Sequence, residues 1–149
     1  MIDPVKCYGK ARAVGFVEKE DIPSHTEWID CWKVFMPYAN NIGTELNDDN
    51  QNTFIGEPKS VCTETFLAVG IEDNLNEAQC TNLSKYLRTK FARFLLSLAK
   101  ISQHGTSKTY RFVPVVDFSE AWTDEKLYTK FGLTKEEVDL IESSIKPMA

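Results

Sequence analysis

Between residues 78 and 116 the chain carries seven basic residues, Lys85, Arg88, Lys90, Arg93, Lys100, Lys108 and Arg111, and no Asp or Glu. The other ten Lys and Arg share the rest of the chain with all 22 carboxylates, and the net charge is −5. A block of one sign inside a chain of the other concentrates positive potential: it binds a polyanion, docks as a protein-interaction module on an acidic partner subunit, or solvates the outer face of a helix. For a polyanion, Lys85, Arg88, Lys100 and Lys108 are the phosphate clamps, because long cationic side chains can reach a backbone of charges. Residues 102–109 (SQHGTSKT) add side chains able to hydrogen-bond with bases, Gln103, His104 and Ser107, beside Gly105, where a nucleic acid can approach closely. Gln pairs with adenine in the major groove, and Lys or Arg with guanine. The competing reading of Gln103 and His104 is an ordinary connector between a helix and a strand. Lys10 and Arg12, near the N-terminus, and Lys59 are second-rank contacts. Lys59 is the lone base among eight acids from residue 39 to 77, and an ion pair with Glu57 is its other reading.

Other chemistries leave fainter traces. Asp49 followed by Glu57-Pro58-Lys59 has the residue types of a nuclease in which two carboxylates hold a divalent metal and a lysine assists the attacking water. Such carboxylates usually lie on adjoining strands, whereas these fall in a polar stretch. His25 and His104 are the only imidazoles, and neither belongs to a His-Glu-x-x-His set, so no metal site is assigned. There is no Gly-x-Gly and no phosphate loop to cradle a nucleotide. Cys62 with His104 stays open as a nucleophile pair beside the reading of all four cysteines as core thiols. No catalytic residue is assigned.

Cys7, Cys31, Cys62 and Cys80 are widely spaced without a Cys-x-x-Cys pair, which predicts reduced thiols and a cytoplasmic location. No run nears the ~18 apolar residues of a membrane span, and residues 1–4 lack the basic and apolar regions of a signal peptide. With 149 residues and 42% hydrophobic content, one core-bearing domain over 1–149 is expected.

The elements that must position these side chains follow from periodicity. Residues 5–17 read as a hairpin punctuated by Gly9 and Gly15. Ser24 and Glu27 have capping-box spacing for a short helix through Trp28, before a strand over 32–38. Residues 40–53 read as an exposed loop. Residues 60–69 (SVCTETFLAV) alternate as a strand, with Glu64 on the face of Cys62 and Phe66. Asn74 and Glu77 can cap one long helix over about 75–101, whose stripe Leu83, Leu87, Phe91, Phe94/Leu95 and Leu98 faces inward while Lys85, Arg88, Arg93 and Lys100 face outward. Residues 110–116 read as a strand, and 124–131 and 134–145 as two short helices, the second with a Thr134/Glu137 capping box. Trp28, Trp32 and Trp122 read as core aromatics. The expected architecture is α+β: a small mixed or antiparallel sheet packed against one long helix, with residues 118–149 a helical C-terminal extension.

Several runs carry a family likeness: EPKSVCTETFL (57–67), YLRTKFARFL (86–95), FVPVVDF (112–118), WTDEKLY (122–128), FGLTKEE (131–137) and the closing IKPM (145–148). In this order the chain, from about residue 5 to 148, resembles the C-terminal target-recognition region of bacterial restriction-modification adenine-specific DNA methyltransferases, often fused to a restriction endonuclease. The resemblance implies double-stranded DNA as ligand and the catalytic methyltransferase or endonuclease domain as partner. In that family S-adenosylmethionine and the Asn-Pro-Pro-Tyr motif belong to the upstream catalytic domain. Phe35-Met36-Pro37-Tyr38 departs from that motif, so no cofactor and no methyl transfer are expected of this chain by itself.

Overall fold

The computed structural model describes residues 2–9, 12–37, 53–63, 66–70, 74–100 and 113–145. The N-terminal alternation folds as the expected hairpin: β1 (Pro4–Tyr8) pairs antiparallel with β2 (Val14–Glu18), with Val5 opposite Val17 and Cys7 opposite Gly15. After a single-turn 3₁₀ segment at Thr26–Trp28 the chain enters β3 (Lys33–Pro37). The Ser24/Glu27 capping box does not form. His25 takes a left-handed φ of 55° and its ring stacks on Trp28 at 3.7 Å, so the turn is held by ring contact with no side-chain cap.

The expected continuous strand over 60–69 is instead two strands serving two sheets. β5 (Ser60–Cys62) runs parallel to β1, giving a sheet of order β2-β1-β5. β6 (Phe66–Val69) pairs antiparallel with β3, which also pairs with β4 (Phe54–Gly56), giving a second sheet of order β4-β3-β6. A backbone bond from Phe66 to the Thr63 carbonyl (3.1 Å) and one from the Cys62 thiol to the Phe66 carbonyl (3.7 Å) close the change of direction. Apolar residues on both faces read as one half-buried strand, but here they serve two sheets.

The long helix is likewise divided, into α1 (Glu77–Leu87) and α2 (Lys90–Lys100). α1 begins two residues later than Asn74 would place it. Asn74 sits in a left-handed conformation (φ 51°), and the reciprocal cap is made by Asn76 and Gln79. The break at Arg88 and Thr89 has a specific cause. Thr89 Oγ1 accepts from Ala92 N (3.1 Å), and the Asp124 carboxylate accepts from Phe91 N (2.9 Å) and Lys90 N (3.3 Å). Side chains thus satisfy the first-turn N–H groups that a continuous helix would give to carbonyls. Asp124→Ala is therefore expected to cost about 0.5–2 kcal/mol, read as a lower denaturation midpoint. Asp124→Asn, which keeps an acceptor, should recover most of the loss.

α3 (Asp124–Lys130) and α4 (Lys135–Ser144) follow, joined through Gly132 at φ +61°. Thr134 and Glu137 form a reciprocal capping box, as the sequence spacing expects. Both helices pack on α2: Phe131 stacks on Phe91 at 5.3 Å, and Leu127 and Ile141 join the buried cluster of Val34, Met36, Leu83 and Phe91. Residues 113–116 form no strand. Pro114 has no N–H to give a ladder, and its carbonyl accepts from the Tyr86 hydroxyl at 2.7 Å. The fold is mixed α/β with two small sheets and four α-helices among the described residues. None of these helices is long and apolar enough to cross a membrane.

Candidate nucleic-acid interface

The acid-free block of the sequence does not stay acid-free in space. Lys85 is exposed on α1. Arg88, one turn further on, is half-buried: its Nε donates to Thr53 Oγ1 (3.1 Å) and its Nη2 to the Thr53 carbonyl (2.5 Å). Lys90 makes a 2.5 Å ion pair with Glu142 of α4, a carboxylate that also accepts from the Tyr128 hydroxyl. Arg93, expected to face outward, is buried, with Nε donating to the carbonyls of Arg88 (3.1 Å) and Thr89 (3.4 Å). The restart of the helix at Lys90 accounts for this, because it resets which positions face the core. The Lys100 side chain, together with Lys10, Glu64, Gln103, His104, Ser107, Lys108 and Arg111, lies outside the described residues.

A different grouping emerges around the hairpin tip. Arg12 is exposed, takes a positive φ of 61°, and places its guanidinium 4.6 Å from the centre of the Phe54 ring. Phe54 lies at the hub of an aromatic cluster, 5.0 Å from Tyr8, 5.2 Å from Phe66 and 5.4 Å from Phe35. Lys6 stands 5.4 Å from the Tyr8 ring, extending the alternation of cation and aromatic face along β1. Thr53, which holds Arg88, is the neighbour of Phe54, so Arg12 and Arg88 converge on one corner. Burial and then the Arg12 charge push the Arg88 pKa down, the mark of two like charges held near each other. Hairpin and helix thus deliver cations to the same place. Sequence reading named both arginines but missed Lys6, Tyr8 and Phe54. Their signal was the aromatic–basic alternation across residues 6, 8 and 12, which only the pairing of the strands makes spatial.

Lys59 does not pair with Glu57. It sits at φ 62°, its N–H donates to the Ile29 carbonyl (2.7 Å), and its ammonium meets Asp3 at 3.1 Å. Glu57 instead accepts both its bonds from the Tyr8 hydroxyl (2.9 and 3.1 Å), with Lys6 at 3.8 Å. The Tyr8 hydroxyl is held above its ordinary pKa by burial and by that bond. The nuclease constellation is thus not assembled among the described residues: Glu57 and Lys59 hold different partners, and Asp49 lies outside them. No cluster of three His, Cys, Asp or Glu arranged to hold a metal ion occurs among the described residues.

Beneath the aromatic cluster lies Lys33, 2% exposed, its ammonium donating to the carbonyls of Trp28 (3.0 Å) and Ile29 (2.9 Å). Burial lowers its pKa, partly opposed by Cys31, Glu57, Asp30 and Cys62. Burial raises the Cys62 and Cys80 thiols to about 11, so both are protonated at neutral pH; the Cys62/His104 pair lies partly outside the described residues. Of the tryptophans, Trp28 and Trp122 do more than fill the core. Trp28 stacks on His25, and Trp122 carries the ammoniums of Lys126 (4.9 Å) and Lys130 (5.6 Å) against its ring while Nε1 donates to the Asp117 carbonyl. No family model, curated protein or solved structure matches the chain.

Proposed function

We infer that this chain is a non-catalytic DNA target-recognition module of a restriction-modification methyltransferase or its fused endonuclease. It works in the cytoplasm beside a catalytic domain that holds S-adenosylmethionine. In this reading the mixed sheets, the divided helix and the two C-terminal helices form a rigid frame. The frame presents phosphate-gripping cations at the corner of the hairpin tip and α1. The observation that carries it is the convergence of Arg12 and Arg88 beside Phe54, with Lys85 one helical turn away on the same face of α1. Arginine is well suited to such a grip, because its guanidinium stays charged, forks to two phosphate oxygens and rests on an aromatic face without losing its charge. The order of motifs from residue 57 to 148 supplies the family context.

Grip on a duplex through these side chains has a measurable signature. Log affinity should fall linearly with log salt, at about −0.9 per phosphate neutralised. Arg12→Ala and Lys85→Ala should each lower that slope by roughly one and weaken binding alike on all sequences. Lys59→Ala, which removes a cation already paired with Asp3, should leave the slope unchanged. No retention of a duplex at low salt, or identical slopes for wild type, Arg12→Ala and Lys85→Ala, would remove the reading.

A further inference from the structure

Resting on the DNA-binding reading above, we propose that Lys6 and Glu57 read one C·G base pair from the major groove, Glu57 accepting from the cytosine amino group and Lys6 donating to guanine. The two side chains are neighbours, Lys6 Nζ lying 3.8 Å from Glu57 Oε1, and they are 38% and 37% exposed. That separation is longer than a hydrogen bond, so the pair does not saturate itself. The Tyr8 hydroxyl gives Glu57 a single proton, shared between both oxygens (2.9 and 3.1 Å), whereas a carboxylate has roughly four acceptor sites.

The carboxylate is fixed in place before any ligand arrives. Tyr8 of β1 holds its oxygens, and the Ser60 hydroxyl of β5 holds the Glu57 carbonyl (2.5 Å). Lys6 and Tyr8 share one face of β1, and the register sets Phe16 opposite Lys6 and Val14 opposite Tyr8. Phe16 is 58% and Val14 54% exposed, so this face sets open apolar groups beside the charges, which suits a groove lined by base edges and thymine methyls. It also adjoins the phosphate corner: the Tyr8 ring lies 5.0 Å from Phe54, the ring under the Arg12 guanidinium. Groups that position a duplex and groups that can read it thus stand side by side.

The chemistry of the pair selects the base pair. In the major groove cytosine offers an amino donor, and guanine beside it offers the O6 and N7 acceptors. A carboxylate next to an ammonium complements that order. An A·T pair also sets a donor beside an acceptor, but adenine N7 would press a lone pair against the carboxylate. An amide in place of the carboxylate reverses this, because its NH2 donates to N7 while its oxygen accepts from the adenine amino group.

Selection of the full chain on a random-sequence duplex library tests this, with salt dependence measured on the unselected duplexes. Wild type should favour C·G at one position by at least about tenfold. Glu57→Gln, which can still accept from the Tyr8 hydroxyl, should move the preference at that position to A·T. Lys6→Met should lower the C·G preference there severalfold. A Glu57 that only braced the hairpin would, on substitution, weaken binding to every sequence alike and leave the preferred base unchanged. That result, an undiminished preference in Lys6→Met, or a wild type that binds with the expected salt slope and prefers no C·G position overturns the inference and leaves the DNA-binding reading standing. Absence of salt-dependent retention removes both.

Discussion

Replacing Phe35 with alanine is expected to destabilise the protein by about 3–5 kcal/mol, measured as the loss of unfolding free energy in denaturant. Phe35 is 1% exposed at the centre of β3. Its ring lies 5.7 Å from Tyr8, which belongs to the first sheet, and 5.4 Å from Phe54, which belongs to its own. It therefore joins the two sheets. Aromatic pairs contribute about 0.5–1.5 kcal/mol each beyond their buried area. The space is filled closely: a Cβ at Gly56 would lie 2.7 Å from the edge of this ring, so β4 carries glycine there because Phe35 occupies the volume. Truncation leaves a void that the strand frame cannot close. Phe35→Leu, which refills most of it, should cost under about 1.5 kcal/mol. The truncation also loosens Phe54, the ring under Arg12, so under the proposed function the salt slope of DNA binding should fall in the same variant even where it is fully folded. A cost for Phe35→Ala no larger than that for Phe35→Leu would mean that the sheets are joined elsewhere.

What the sequence revealed and what it hid divide along a physical line. The β1–β2 hairpin and the Thr134/Glu137 cap were legible because each is decided by residues within a few positions of one another. The split of residues 60–69 was not, since the alternation of Val61 to Val69 is the same whether one sheet or two receive it; the partners β1 and β3 decide. The break between α1 and α2 was hidden for a similar reason. Nothing in Leu87-Arg88-Thr89-Lys90 forbids a helix, and it is the Asp124 carboxylate from another helix that makes a second start favourable. The candidate site shows the same division more sharply. Charge counting located the cations but could not foresee that Glu142 would neutralise Lys90, that the reset helix would bury Arg93, or that Arg88 would find Arg12 from the hairpin. Composition reports how much charge a segment holds. Which of it reaches solvent is a matter of tertiary packing.

Lys33 makes the second large effect, and its two substitutions should separate packing from charge. Lys33→Ala is expected to cost about 2–5 kcal/mol, because it empties a site enclosed by Phe35 and Gly56, whose added Cβ would stand 2.8 Å from Lys33 Cγ. Lys33→Met keeps most of the volume and should cost less than about 1.5 kcal/mol. The carbonyls that receive the ammonium retain a backbone donor each, Cys31 N to Trp28 and Lys59 N to Ile29, so methionine strands neither. It also removes a desolvated charge whose partners are carbonyls with no carboxylate bonded to it, and such a charge gives little net stability. The pH dependence carries the sign. Burial lowers the folded-state pKa of Lys33 below its ordinary 10.5, so across the interval between the two values the unfolded chain binds more protons than the folded one. Stability from this group therefore rises with pH through that interval, and its penalty is fully present below the folded pKa. The buried thiols Cys62 and Cys80 act oppositely: their stabilising contribution is intact below the ordinary 9.0 and is lost as pH rises through about 11. Wild type should thus lose less stability on alkalinisation than Lys33→Met, which keeps the thiol loss but lacks the lysine gain. Parallel stability–pH curves for the two proteins would show that the Lys33 ammonium is solvated in the folded state. A methionine variant as unstable as the alanine one would show that its bonds to Trp28 and Ile29 hold β3 in place.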